Sequence, residues 1–109
     1  MIITVCGAIS SRPETYMAAF AKGVEDMTEY AHLHGEVPYI FNPALLPNCP
    51  EINCEEYLSI TERMIDLSDT VYFLSGWEKS EGARQEMEYA KLCHKHILCE
   101  IERFAEAAQ

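Results

Sequence analysis

Positive charge is what this chain most lacks. Its 109 residues hold 8 Lys and Arg against 18 Asp and Glu, a formal net charge of −10. A protein that grips DNA, RNA or an anionic membrane needs a basic footprint, and there is none here. A small phosphate is not excluded, because backbone N–H groups and one or two local cations are enough to hold it. Long apolar runs are also missing. No stretch approaches the ~20 residues of a membrane span, so no membrane partner is expected. The opening MIITVCGAIS has no basic n-region, so no signal peptide and a cytoplasmic location are expected. The five cysteines, Cys6, Cys49, Cys54, Cys93 and Cys99, are odd in number and form no CxxC. They read as reduced thiols rather than a disulfide framework. His32-x-His34 and His94-x-His96 have no Cys or carboxylate at zinc spacing, so no metal and no cofactor are expected. Repeats, low-complexity tracts and linkers are absent.

What is present fits one ordinary globular domain: 49% hydrophobic and 24% charged residues over a single-domain length. Ile2 to Cys6 is a β-branched apolar run and reads as a first strand. Gly7 to Glu14 is a turn-like loop, and Pro13 suits the first turn of a helix. Met17, Phe20, Val24, Met27 and Ala31 recur at helical spacing up to His34, and Gly35 fits as the stop. Val37 to Phe41 is a second strand, and Pro38 favours an edge position. Asn42 to Pro50 has three prolines and reads as a loop. Asn53 can cap a helix to about Leu67, with Glu55 and Glu56 in its first turn. This helix should bury Tyr57, Leu58, Met64, Ile65 and Leu67. Thr70 to Leu74 is the third strand. A third helix opens at Ser80 or Glu81 and ends near His94, and His96 to Ile101 is the fourth strand. Residues 102–109 form a tail, with Phe104, Ala105 and Ala108 spaced for a short docked helix.

The order βαβαβαβ predicts an α/β domain, Rossmann-like or flavodoxin-like, over residues 1–101. Its four-stranded parallel sheet should run 2-1-3-4 with helices on both faces. In that order the chain reverses direction between the first and third strands, and ligands bind beyond the C-terminal ends there. The loops at that point are Gly7–Glu14 and Ser75–Ser80. Gly82 lets backbone approach a ligand closely, since it has no Cβ. The free N–H groups of the third helix make an anion site. Glu86 lies about one turn further in. Lys79 and Arg84 flank the anion site, although surface cations on helices are common.

These loops resemble those of the nucleoside 2-deoxyribosyltransferase superfamily, including its nucleotide N-hydrolase branch. Cys6-Gly7-Ala8-Ile9 is similar to that superfamily's Cys-Gly-Ser-Ile turn. Ser80, Gly82 and Glu86 match its Ser-x-Gly-x-x-x-Glu helix start. Small, often phage-borne relatives share the Ser68-to-Trp77 run, Ala83, Ala90 and the Phe41-Asn42-Pro43-Ala44 stretch. The resemblance extends to about Glu100. It implies that Glu86 is a nucleophile that attacks C1′ of a sugar. It also implies that Ser80, the Gly82 N–H and the Gly7, Ile9 and Ser10 backbone hold a 5′-phosphate. Trp77, Tyr16 or Tyr39 would stack a base, and Asn42, Arg12 and Arg84 join the ligand-binding set. A carboxylate near a helix N-terminus should stay ionised, as a nucleophile must. One position departs from the pattern. The superfamily's helix Asp, eight residues before Asp69, is Thr61 here, which cannot act as a general acid at neutral pH. Glu62 beside it points about 100° away on a helix, and Asp66 is more than a turn off.

Bland readings stand beside these. Glu86 can be a solvated helix residue, and Trp77 can be a packing residue at a subunit contact. The expected function is cleavage or transfer of the N-glycosidic bond of a nucleoside 5′-monophosphate through Glu86. The alternative is a non-catalytic nucleotide sponge, for example a phage anti-defence protein that sequesters a signal such as an ADP-ribose derivative. Exposed sheet edges and the superfamily's shared sites imply a homodimer or homotetramer.

Overall fold

A computed structural model describes residues 1–9 and 12–100. The elements are β1 (Ile2–Cys6), α1 (Tyr16–Leu33), β2 (Tyr39–Phe41), α2 (Cys54–Leu67), β3 (Thr70–Phe73), α3 (Glu81–Leu92) and β4 (His96–Cys99). Short 3-10 turns follow β2 at Pro43–Leu45 and β3 at Trp77–Lys79. The four strands form one all-parallel sheet in the order β2-β1-β3-β4, as expected. β2, the strand beside Pro38, is an edge. Thr4 pairs with Val71, and Cys6 with Phe73, so β1 and β3 end side by side at the reversal of strand order.

Alternation along the central strands divides the core in two, because successive side chains leave a strand on opposite faces. Ile3, Val5, Tyr72 and Leu74 pack under Phe20 and Met27 of α1. Cys6, Val71 and Phe73 pack under Ile65 of α2 and Met87 and Ala90 of α3. One helix therefore covers one face and two cover the other. The buried hydroxyls of Thr4 and Ser68 share a 2.7 Å hydrogen bond on the two-helix face. Ser68 also donates to the Met64 carbonyl.

Several boundaries move from their expected places. α1 begins at Tyr16, two residues after Glu14, because Pro13, Glu14 and Thr15 form a turn. Gly35 closes it with φ 71°, a left-handed conformation that favours glycine. On α1, Met17 is exposed whereas Gly23 is buried. On α2, Ile65 and Thr61 are buried, but Leu67 is exposed in the last turn. The loop after β2 contains the 3-10 turn Pro43–Leu45, which Asn42 caps. Ile101 and the tail from 102 to 109, including Phe104, Ala105 and Ala108, lie outside the described residues, as does Ser10. All five cysteines are free thiols, with Cys6 buried and Cys99 half-buried. Among the described residues no helix is long and apolar enough to cross a membrane.

The start of α2 is a capping box. Asn53 Oδ1 accepts from the Glu56 N–H at 2.8 Å, and the Asn53 N–H donates to Glu56 Oε1 at 3.0 Å. Both bonds satisfy N–H groups that a helix end leaves unpaired. Asn53→Ala is expected to lower stability by about 1 kcal/mol. A lower urea midpoint with an unchanged slope would show it.

Candidate functional site

The candidate site lies beyond the C-terminal ends of β1 and β3. Leu74 continues the β3 ladder, donating its N–H to the Cys6 carbonyl at 2.8 Å. The two loops then part. A turn follows at once on the β3 side, with the Trp77 N–H bonded to the Leu74 carbonyl at 3.2 Å. Gly76 holds φ 88° and ψ 5° in it, the third-position geometry of a type II turn, which disfavours any residue with a Cβ.

Ser80 is the N-cap of α3, and its Oγ accepts from the Ala83 N–H at 3.2 Å. The hydroxyl proton of Ser80 is not used in that bond. The Glu81 and Gly82 N–H groups have no acceptor among the described residues. Gly82 is exposed, and a Cβ built there would meet nothing closer than Ser80 Oγ at 4.0 Å. Packing gives no reason for glycine at this position. Gly7 is different. It is buried, and a Cβ there would lie 3.0 Å from Leu74 Cδ1 and 3.1 Å from Leu74 Cβ, so the core accounts for its missing side chain.

Glu86 is neither a solvated helix residue nor an ionised one. It is 8% exposed, on the face of α3 that meets α2 and β1. Its pKa is pushed up from 4.5 to about 8, chiefly by burial; the Thr61 hydroxyl close to it lowers the value, and the Glu62 charge raises it. The expectation of a dipole-stabilised carboxylate is therefore corrected. The helix field fades within the first turn, Glu86 sits in the second, and desolvation penalises the charged form more. The Cys6 thiol is raised as well, by burial first and then by Glu86. A thiol held protonated is a poor nucleophile, so Cys6 is a packing residue beside the carboxyl.

Cys6, Thr61 and Glu62 are the neighbours of Glu86; the sequence reading named each of them, but not their meeting at this carboxyl. Thr61 is more than the mark of a missing Asp. Its hydroxyl donates to the Tyr57 carbonyl at 3.1 Å and is close enough to Glu86 to lower its pKa. The helical spacing of Thr61 and Ile65 was the available signal. Glu62 is half-buried, and its charge reaches Glu86 despite the 100° step. Asp66 is committed elsewhere, accepting from the Tyr89 hydroxyl and facing Arg63 at 3.7 Å, which ties α2 to α3.

The other expected ligand groups have these places in the fold. Trp77 is half-buried, with its ring 5.5 Å from that of Phe73 and packed on the two-helix core. Tyr16 packs partly against the α1-side core, and Tyr39 is exposed on the edge strand. Asn42 Oδ1 accepts from the Ala44 N–H at 3.0 Å as a cap. Arg84 donates to the Glu78 carbonyl at 2.7 Å and braces the turn before α3. Arg12 reaches across from the first loop, donating to the Ser75 carbonyl at 3.3 Å. Ile9 is at the surface of that loop, and its carbonyl accepts from the Arg12 N–H at 3.0 Å. Among the described residues no three His, Cys, Asp or Glu side chains are grouped to hold a metal ion.

The profile of one protein family, described as Domain of unknown function (DUF4406), matches residues 1–99, and the chain belongs to that family. No curated protein and no solved structure matches it.

Proposed function

We propose that this DUF4406 domain binds a nucleoside 5′-monophosphate at the β1–β3 reversal and cleaves or transfers its N-glycosidic bond through Glu86. The observation that carries the reading is a nearly buried carboxyl one turn behind an uncommitted helix N-terminus, at the end of the sheet where this fold takes ligands. The resemblance to the nucleoside 2-deoxyribosyltransferase superfamily supports the same assignment. The Glu81 and Gly82 N–H groups and the Ser80 hydroxyl would receive the phosphate. An oxygen of ionised Glu86 forms a bond to C1′ as the C1′–N bond breaks, and the electron pair leaves with the base. Water or a second base then takes the sugar from Glu86. The base needs a proton as it departs. Thr61 cannot supply one, and Glu62 meets Glu86 as a negative charge with no proton to give, so water supplies it.

Attack requires Glu86 to lose its proton. Since that proton is held up to about pH 8, kcat/KM should rise about tenfold per unit from pH 6 to 7 and level off near pH 8. A profile falling over the same range would make Glu86 a proton donor instead of a nucleophile.

Mass spectrometry on the protein mixed with nucleoside monophosphates and ADP-ribose-type compounds is the direct test. Free base should accumulate with time and be lost by orders of magnitude in Glu86→Gln. A second reading is favoured by the protonated state of Glu86 and by Thr61: a non-catalytic binder that sequesters a nucleotide signal. In that case an intact nucleotide stays with the protein, is released unchanged by heat, and binds Glu86→Gln almost as well. If neither free base nor bound nucleotide appears, both readings are wrong.

A further inference from the structure

Ser75 is gripped on both sides by charged residues from distant parts of the chain. Its N–H donates to Glu100 Oε1 at 3.0 Å, and its carbonyl accepts from Arg12 at 3.3 Å. Glu100 follows β4 and is 8% exposed, and Lys22 Nζ of α1 lies 3.8 Å from its other oxygen. Lys22 also pairs with Asp26 at 3.4 Å, and Asp26 accepts from the Tyr72 hydroxyl at 3.3 Å. The carboxylate is therefore tied into a polar chain that runs from β4 through α1 to β3.

The position of this grip matters because of what Ser75 does. It is the second residue of the Leu74–Trp77 turn, and Gly76 is the third. The peptide between Ser75 and Gly76 is the one whose orientation separates a type II turn from a type I turn. Glycine tolerates both settings, so Gly76 alone does not choose between them. Arg12 holds the carbonyl of that peptide, and its guanidinium carbon lies 3.8 Å from where a Gly76 Cβ would stand. Glu100 holds the N–H of the peptide before it. Hydrogen bonds from or to charged groups are the stronger kind, and two of them fix one residue here. The chain after this residue carries Trp77 and then Ser80 at the head of α3.

We propose that Arg12 and Glu100 are positioning residues: together they pin the Ser75 turn and so set the Trp77 ring and the N-terminus of α3 at the mouth of the site. Arg12 therefore serves the site through the turn. The consequence for nucleotide binding rests on the function proposed above, but the pinning itself does not.

The single Trp makes the test ligand-free. Selectively excited Trp77 fluorescence reports its surroundings, and amide hydrogen exchange reports the Ser75 N–H. Glu100→Ala should raise acrylamide quenching of Trp77 roughly twofold and shift its emission to the red. It should also speed Ser75 exchange by about tenfold or more, as loss of a charge-assisted hydrogen bond allows. Glu100→Gln keeps an acceptor oxygen and should stay near wild type in both. Arg12→Ala should raise quenching without exposing the Ser75 N–H, and Arg12→Lys should recover part of it. If Glu100→Ala does not fold, Arg12→Ala and the Glu100→Gln comparison still decide. Unchanged quenching in folded Arg12→Ala, together with unchanged quenching and Ser75 exchange in whichever Glu100 variants fold, would overturn the proposal. Fluorescence changes without any nucleotide binding would leave the clamp standing and remove the proposed function.

Discussion

Glu86→Gln is expected to be more stable than the wild type at pH 9 and about equal to it at pH 5. The folded protein holds the Glu86 proton up to about pH 8, whereas the ordinary value is 4.5. Between those two values the folded state binds the proton and the unfolded state does not. Stability therefore falls as pH rises through this window, the opposite of a salt-bridged carboxylate. Below pH 4.5 both states are protonated, and above pH 8 both are ionised, so the loss is complete. A gap of roughly 3.5 pH units corresponds to about 5 kcal/mol. That is as large as the whole stability of many domains of this size.

Gln has nearly the shape of the protonated acid and cannot ionise. The difference between the two proteins isolates this proton, because the other titrating groups are common to both. The groups around it are the Cys6 thiol, the Thr61 hydroxyl and the Glu62 carboxylate. Urea melts of both proteins at pH 5, 7 and 9 would measure it. The gap should open by about 1.4 kcal/mol per pH unit between pH 5 and 8 and then stop growing. A constant gap would mean that Glu86 is ionised in the folded protein at neutral pH, and the nucleophile would then need no alkaline shift. The measurement thus bears on chemistry as well as folding: the same proton that stabilises the core must leave before Glu86 can attack.

This proton also marks where sequence reasoning stops. The strand order was legible, because Pro38 keeps β2 at the edge and the apolar runs of β1 and β3 require cover on both faces. Asn53 was legible as a cap because the partners of a capping box lie within three residues. Glu86 was legible as a candidate through its spacing from Ser80 and Gly82. Its protonation was not, because it depends on three elements meeting: α3 carrying the carboxyl, α2 bringing Thr61 and Glu62, and β1 bringing Cys6. No local pattern encodes that meeting. The same holds for Arg12, Asn42 and Arg84. The sequence marks a charged or amide side chain beside a loop, but not the backbone carbonyl or N–H that it meets in the fold.

Gly23→Ala is expected to destabilise the domain, although alanine is worth about 1 kcal/mol over glycine inside a helix. A Cβ at Gly23 would stand 2.8 Å from Leu74 Cδ2 and 3.0 Å from Val5 Cγ1. Leu74 has little room to retreat, because its Cδ1 and Cβ already stand against the backbone of Gly7 on the other side. It is held between two glycines, one on α1 and one at the end of β1, and is 2% exposed. Overpacking of this kind costs about 1–3 kcal/mol. Leu74→Ala alone should cost about 2–5 kcal/mol through the cavity it leaves. In that background Gly23→Ala meets only Val5 tightly, and its penalty should shrink to near zero or reverse. Denaturant melts of the wild type, both single variants and the double variant would then show a coupling of about 1–3 kcal/mol. Additive effects would show instead that Leu74 has room to rotate. The contact reaches the site as well as the core. The two loops of the site leave the sheet at Gly7 and Leu74, and the close fit of these residues sets how near together the loops begin.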